Sequence, residues 1–154
     1  MSRKSFNLTA AGIETLRVEL ESLRVLRTPV AERIKAAREF GDLSENAEYT
    51  SARQEQERVE SRIAEIENIL RNAELIEDPE NGDEVQLGSR IKLRDPKTRE
   101  QHFKLVGTVE ADPLNGLISD ESPLGQALLG KIVGEKIEIR TRAGMVIFTI
   151  IEIY

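Results

Sequence analysis

An α+β fold is predicted: a long antiparallel coiled-coil helical hairpin, then a small, mostly antiparallel β-sheet domain with a short helix. Three observations predict it. Apolar residues recur in steps of three and four through the first half of this 154-residue chain. A polar segment containing Pro and Gly interrupts that pattern near residue 80. Beyond it, apolar and polar residues alternate. Steps averaging 3.5 belong to paired helices, and period two to half-buried strands.

Thr9 is placed to cap a helix beginning at Ala10. Ile13, Leu16, Leu20, Leu23, Val30, Ile34 and Ala37 then form one stripe, with Arg27 filling a seam position. Pro29 lies inside the stripe, and an interior proline removes a hydrogen bond, so a local kink is expected. Gly41 suits the helix stop. The pattern resumes as Ala52, Gln56, Val59, Ile63, Ile66, Leu70 and Ala73. Folding about the intervening turn pairs Ile34 with Ala52, Val30 with Gln56, Leu23 with Ile63, and Leu16 with Leu70. Arg27 and Gln56 fall in neighbouring layers, so both helices share one polar section of the seam. Each arm has about 30 residues, a rod of roughly 45 Å.

The segment Glu77-Asp78-Pro79-Glu80-Asn81-Gly82-Asp83 reads as a linker. The expected organisation is a hairpin over 1–78 with its tip at 41–48, a linker over 79–83, and a second domain over 84–154. There, Val85, Leu87, Ile91 and Leu93 predict a first strand or strand pair, turned at Asp95-Pro96-Lys97. Phe103, Leu105 and Val109 continue the sheet. Ile132, Ile137 and Ile139 lead to a turn at Arg142-Ala143-Gly144 and a last strand through Val146, Phe148 and Ile150. Ile151 and Ile153 shift its apolar phase by one, as a bulge would. Between these, Pro123 to Gly130 predicts a short helix capped by Ser122 and ended by Gly130.

Composition narrows the function. Aromatic residues are only 4% and Trp is absent, which disfavours a deep aromatic-lined pocket. The net charge is −6, divided as −4 (12 basic, 16 acidic) over residues 1–78 and −2 (10 basic, 12 acidic) over 79–154. Neither half is a basic arm, so any contact with nucleic acid is local or made inside a partner. Without cysteine, disulfides and thiolate metal sites are excluded, as fits a reducing cytoplasm. The N-terminus carries no apolar run behind its charges and no stretch reaches the ~20 apolar residues that span a bilayer; a cytoplasmic, monomeric protein without membrane association is expected.

The turn between the helical patterns exposes Asp42, Glu45 and Glu48. Asp42 and Glu45 are three apart at the expected start of the second helix, so they can share one face of its first turn. Such oxygen ligands suit Mg²⁺, which commonly takes one or two protein carboxylates and finds its other ligands elsewhere. The same spacing also matches a capping box, with both carboxylates serving free helix N–H groups and Ser44 as a competing cap. Arg38 and Arg53 fall near the tip with Lys35, either to hold a nucleic-acid phosphate or as a solvated face with pairs such as Arg53 and Glu57. His102 is the only histidine, so it reads as a surface or edge-strand residue rather than a metal ligand. There is no Gly-rich phosphate loop and no Ser-His-acid triad.

The run Gly41-Asp42-Leu43-Ser44-Glu45-Asn46-Ala47-Glu48-Tyr49, preceded by Ala36-Ala37-Arg38-Glu39, strongly resembles the tip signature of bacterial Gre transcript-cleavage factors, of the GreA type. Ile118-Ser119 followed by Ser122-Pro123-Leu124-Gly125-Gln126-Ala127-Leu128-Leu129-Gly130 independently resembles a segment of their C-terminal domain. The resemblance covers essentially the whole chain, in order.

The resemblance implies an FKBP-like C-terminal domain without isomerase activity. It implies bacterial RNA polymerase as partner, with the hairpin inserted through the secondary channel towards the extruded 3′ end of backtracked nascent RNA. Asp42 and Glu45 would help hold a second Mg²⁺ and position the attacking water, so that the polymerase hydrolyses its own transcript. The protein would have no cofactor of its own and would not be an enzyme by itself. Arg38 and Arg53 match the basic spot for the RNA 3′ region. Glu121, Ser122 and Pro123 match the loop that docks on the polymerase rim, although some relatives carry Asp at position 121. The alternatives are a family member that occupies the channel without stimulating cleavage, a free-standing Mg²⁺ nuclease, and an adaptor or chaperone module. The intact tip run argues against the first, and the shortage of ligands and of a cleft against the second.

Overall fold

A computed structural model describes residues 4–41, 46–80 and 82–154. They form two compact units, residues 13–72 and residues 4–12 with 73–154. The division is not a single cut at residue 78. A short strand β1 (Phe6–Leu8) pairs in parallel with β2 (Ala73–Leu75), and both belong to the second unit.

The first helix, α1 (Ala10–Arg38), starts where Thr9 predicts: the Thr9 Oγ1 accepts the Gly12 N–H at 3.1 Å. It contains Pro29 and ends three residues before Gly41, whose φ of 100° completes the turn after it. The second helix, α2 (Ala47–Arg71), corrects one expectation. It begins after the 42–45 segment, and its cap is the Asn46 side chain, which accepts the Tyr49 N–H. Asp42 and Glu45 therefore precede the helix rather than occupying its first turn. They lie outside the described residues, as does Ser44.

The seam between the arms follows the apolar steps. Leu16, Leu20, Val30, Ile34 and Ala37 are buried on α1, and Ala52, Val59, Ile63 and Ile66 on α2. Val30, Ile34 and Ala52 pack as one cluster, with Tyr49 against it. Near the far end Ile69 is buried beside a half-buried Leu70, since a 3.6-residue turn drifts against a 3.5-residue repeat. Arg27 does not enter the seam: it is exposed and forks onto Glu60 at 2.8 and 3.0 Å. Glu19 with Arg62, Arg24 with Glu67, and Arg33 with Glu55 are further pairs across the two arms. The hydrogen bond from Arg62 holds the Glu19 carboxyl below its usual range. Its contribution is therefore complete above the ordinary carboxylate pKa and is lost as pH falls through the lowered one. These pairs are exposed enough that each adds little beyond the apolar seam.

In the second unit, β3 (Arg90–Arg94), β4 (Glu100–Val106), β5 (Leu117–Ser119), β6 (Lys136–Thr141) and β7 (Gly144–Ile153) form one sheet in the order β5-β4-β3-β7-β6. All neighbours are antiparallel except β4 and β5. The expected bulge is present: Leu93 pairs with Ile150 while Lys92 pairs with Glu152, leaving Ile151 as the extra residue. The core is aliphatic, built on Ile91, Leu93, Leu105, Leu128, Ile137 and Ile150. Four apolar positions are not strand residues as expected, and of these Leu87 lies in a turn before β3. Val85 is buried but lies in a loop held by Lys131 and Gly130. Ile132 is exposed, and Val109 sits in a single 3₁₀ turn over Thr108–Glu110. His102 is an exposed β4 residue with its ring Nδ1 3.2 Å from the Tyr154 hydroxyl. Among the described residues no helix is long and apolar enough to cross a membrane.

Candidate functional site

The residues singled out in sequence fall in two places, one in each unit. At the hairpin turn, α1 closes with 3₁₀-type bonds in which Phe40 N–H reaches Ala37 O at 3.2 Å and Gly41 N–H reaches Arg38 O at 3.3 Å. Asn46 then bridges the two helix ends. Its Nδ2–H donates to Ala37 O at 2.7 Å while its Oδ1 accepts the Tyr49 N–H at 3.1 Å. Arg38 is exposed, with its guanidinium 5.9 Å from the centroid of the Tyr49 ring. Arg53 is also exposed and donates to Gln56 Oε1 at 2.6 Å, not to the expected Glu57. Glu48 is exposed in the first turn of α2.

Metal chemistry at this end rests on few ligands. Among the described residues no group of three or more His, Asp or Glu side chains converges on one point. Mg²⁺ prefers about six oxygen ligands, so Asp42 and Glu45 do not make a resident site by themselves.

The second place is the turn after β5, which enters α3 (Pro123–Leu128). Ser122 caps this helix as the sequence predicts, accepting the Gly125 N–H at 3.0 Å. The same hydroxyl donates to Ser119 O at 2.6 Å. Glu121 and Pro123 are exposed. The Glu121 carboxylate accepts from Thr108 Oγ1 at 2.9 Å, and its N–H donates to Ser119 Oγ at 3.1 Å. Beside it runs a shallow cleft lined by Lys4, Phe6, Asn7, Thr108, Asp120 and Glu121.

Asn46, Thr108 and Ser119 escape sequence reasoning. Asn46 had a readable signal, a good capping residue just before a helix-compatible run. Thr108 and Ser119 had none, because their partners are distant in sequence or hidden by the turn.

Gly125 sets the shape of this turn. A Cβ there would lie 2.0 Å from the Ser119 carbonyl oxygen, so any side chain must push α3 off the strand. Gly125→Ala should cost roughly 3 kcal/mol. Chemical denaturation followed at the β-domain should detect it.

Two family descriptions match the chain, "Transcription elongation factor, N-terminal" over residues 6–75 and "Transcription elongation factor, GreA/GreB, C-term" over residues 79–154. The chain belongs to the GreA/GreB family of transcription elongation factors. Its similarity to individual relatives runs end to end. It is 48% identical to the transcription elongation factor GreA of Thermotoga neapolitana, covering 97% of each chain. The GreA proteins of Caldanaerobacter subterraneus (49%, 95% of each) and Bacillus subtilis (45%, 97% of each) are comparably similar. Among solved structures, the GreA factor homolog 1 protein of Thermus thermophilus is 32% identical, with 98% and 99% of the two chains covered and a TM-score of 0.45. In this Gre-family chain, the boundary between the two family regions falls just after β2.

Proposed function

We propose that this protein acts within a backtracked bacterial elongation complex, in the cytoplasm and as a monomer. The hairpin enters the polymerase secondary channel, and the tip offers Asp42 and Glu45 to the catalytic centre. The observation that carries this reading is the position of the Gly41–Tyr49 signature, at the turn between helices of 29 and 25 residues. Each arm is about 40 Å long, which is a reach suited to a channel. When bound there, Mg²⁺ supplies Lewis-acid stabilisation of the attacking and leaving oxygens. The two carboxylates contribute oxygen ligands and a hydrogen-bond acceptor for water, while the polymerase contributes the remaining ligands and holds the RNA. Arg38 and Arg53 face the extruded RNA, and Glu121 and Pro123 contact the polymerase rim. The tip run also separates this reading from occupancy of the channel without cleavage, because both carboxylates are present.

Stalled, backtracked complexes carrying labelled RNA test the proposal. Shortened transcripts and released 3′ fragments should appear quickly only with polymerase and protein together. Purified protein with RNA and millimolar Mg²⁺ should give none, since two exposed carboxylates neither exclude water nor fix a substrate. RNA hydrolysis that survives repurification and vanishes in Asp42→Asn would instead identify a nuclease. Bound protein that leaves transcripts intact would identify a channel blocker.

A further inference from the structure

The five-stranded sheet buries one face and leaves the other open, and the open face is positively charged. Ile91, Leu93, Leu105, Ile137 and Ile150 point into the core. The residues that alternate with them along the strands turn outward. Among the described residues this outward face carries six cations: Arg90, Lys92 and Arg94 on β3, Lys104 on β4, and Lys136 and Arg140 on β6. Lys92 and Lys104 are half-buried and the others exposed. Glu100, Glu138 and Glu152 are the acidic side chains there, so six positive charges against three leave +3. Residues 79–154 as a whole carry −2 (10 basic, 12 acidic).

The strand register sets the cations in a diagonal stripe. Lys104 lies opposite Arg90. Arg90, Lys92 and Arg94 then follow along β3 at about 7 Å intervals. Thr149 separates Arg94 from Lys136, and Arg140 lies beyond Glu138 on the same strand. Lys92 is paired with Glu152 at 3.1 Å and Arg94 with Glu100 at 3.4 Å. Among the described residues, Arg90, Lys104, Lys136 and Arg140 form no ion pair.

Like charges directly opposite on neighbouring strands destabilise a sheet. Arg90 and Lys104 stand in that relation. Their row runs Leu117, Lys104, Arg90, Tyr154 and holds no acidic side chain to offset the repulsion. A bound anion would offset it, and a polyanion with evenly spaced charges matches a stripe better than a single ion does. Single-stranded nucleic acid is held largely by stacking on aromatic rings. This face offers only Tyr154 and His102, whose side chains already meet at 3.2 Å. A duplex presents phosphates without requiring stacking, and backbone contacts of this kind carry no sequence information.

We infer that the outward face of this sheet binds the phosphate backbone of duplex DNA, without sequence preference. Arg90, Lys104, Lys136 and Arg140 supply the free charges. The overall charge of −6 opposes long-range attraction, so the contact is local, weak and sensitive to salt. It needs neither the tip carboxylates nor polymerase.

Titration of the full-length protein into a short labelled DNA duplex tests this. At low salt the Kd should be on the order of 10⁻⁵ M, and log K should fall with log salt at a slope of about −3 to −4, as for four phosphates. Arg90→Gln with Lys104→Gln should weaken binding about tenfold and flatten the slope by about two. Its thermal midpoint should not fall, since a like-charge pair is removed. Lys136→Gln with Arg140→Gln, on the edge strand, should act in the same way and serves if the first variant fails to fold. Arg17→Gln with Arg58→Gln, an exposed pair on the helices that matches the change in net charge, should alter neither affinity nor slope.

No duplex binding at low salt overturns the inference, as does a slope that neither sheet variant changes or that the helix control changes equally. Tighter binding of single-stranded DNA of the same length would assign the face to bases. Displacement of the duplex by polyglutamate at equal charge concentration would assign it to an acidic protein. Either result overturns the assignment to duplex DNA.

Discussion

Asp42→Asn combined with Glu45→Gln should abolish stimulated transcript cleavage, by on the order of 10²–10³-fold, the scale on which loss of a placed electrostatic group slows a reaction. Apparent affinity for polymerase should stay within a few-fold. Amides are nearly isosteric with carboxylates but poorer ligands for a hard cation. The structure sharpens this experiment. Because Asn46 caps α2, and the helix starts at Ala47, neither substitution removes the cap. Helicity by circular dichroism should therefore match the parent protein. Normal cleavage by the double variant would leave both carboxylates without a chemical role. A collapse of helicity would assign the loss to folding.

Glu121→Ala with Pro123→Ala should produce the reverse pattern. Apparent affinity should fall about tenfold, equivalent to about 1.4 kcal/mol, the size of a moderate interface contribution. Cleavage at saturating protein should be restored, since the tip is intact. Both residues are exposed, and the Glu121 carboxylate has Thr108 as its own neighbour at 2.9 Å, so the variant should fold. Ser122 must be treated separately. Its hydroxyl is committed inward, to Gly125 N–H and Ser119 O. Ser122→Ala should lower stability by about 1 kcal/mol, the usual worth of a cap, and weaken docking only through the turn it shapes. Unchanged half-saturation in a titration of Glu121→Ala/Pro123→Ala would place the docking contact elsewhere.

The contrast between Asn46 and Asp42 shows how far local rules reach at the tip. The spacing of Asp42 and Glu45 satisfies a capping box, with Ser44 as a competing cap. The cap observed is Asn46, whose side chain also meets Ala37 O. Arg27 is a similar case. Its place in the stripe puts it on the seam, but a guanidinium there would be buried without a partner, and Glu60 across the hairpin gives it one at the surface.

The apolar steps by themselves determined the hairpin, because burial on a helix depends on spacing within one chain segment. They placed Leu16, Leu20, Val30 and Ile34 against Ala52, Val59, Ile63 and Ile66 on the buried face of each arm. Alternation likewise determined β3, β4, β6 and β7 and the Ile151 bulge, and Ser122 as a cap marked the short helix. Strands β1, β2 and β5 have three residues each, too few to show a period. Their hydrogen bonds come from chain far away, Phe6 with Ala73 and Lys104 with Leu117. Only the tertiary structure decided these pairings, together with the return of residues 4–12 to the second unit, the bridge through Asn46 and the inward bonding of Ser122. Propensity and periodicity are properties of neighbours along the chain, whereas a parallel pairing or a bridging carboxamide exists only once distant groups have been brought within hydrogen-bond reach.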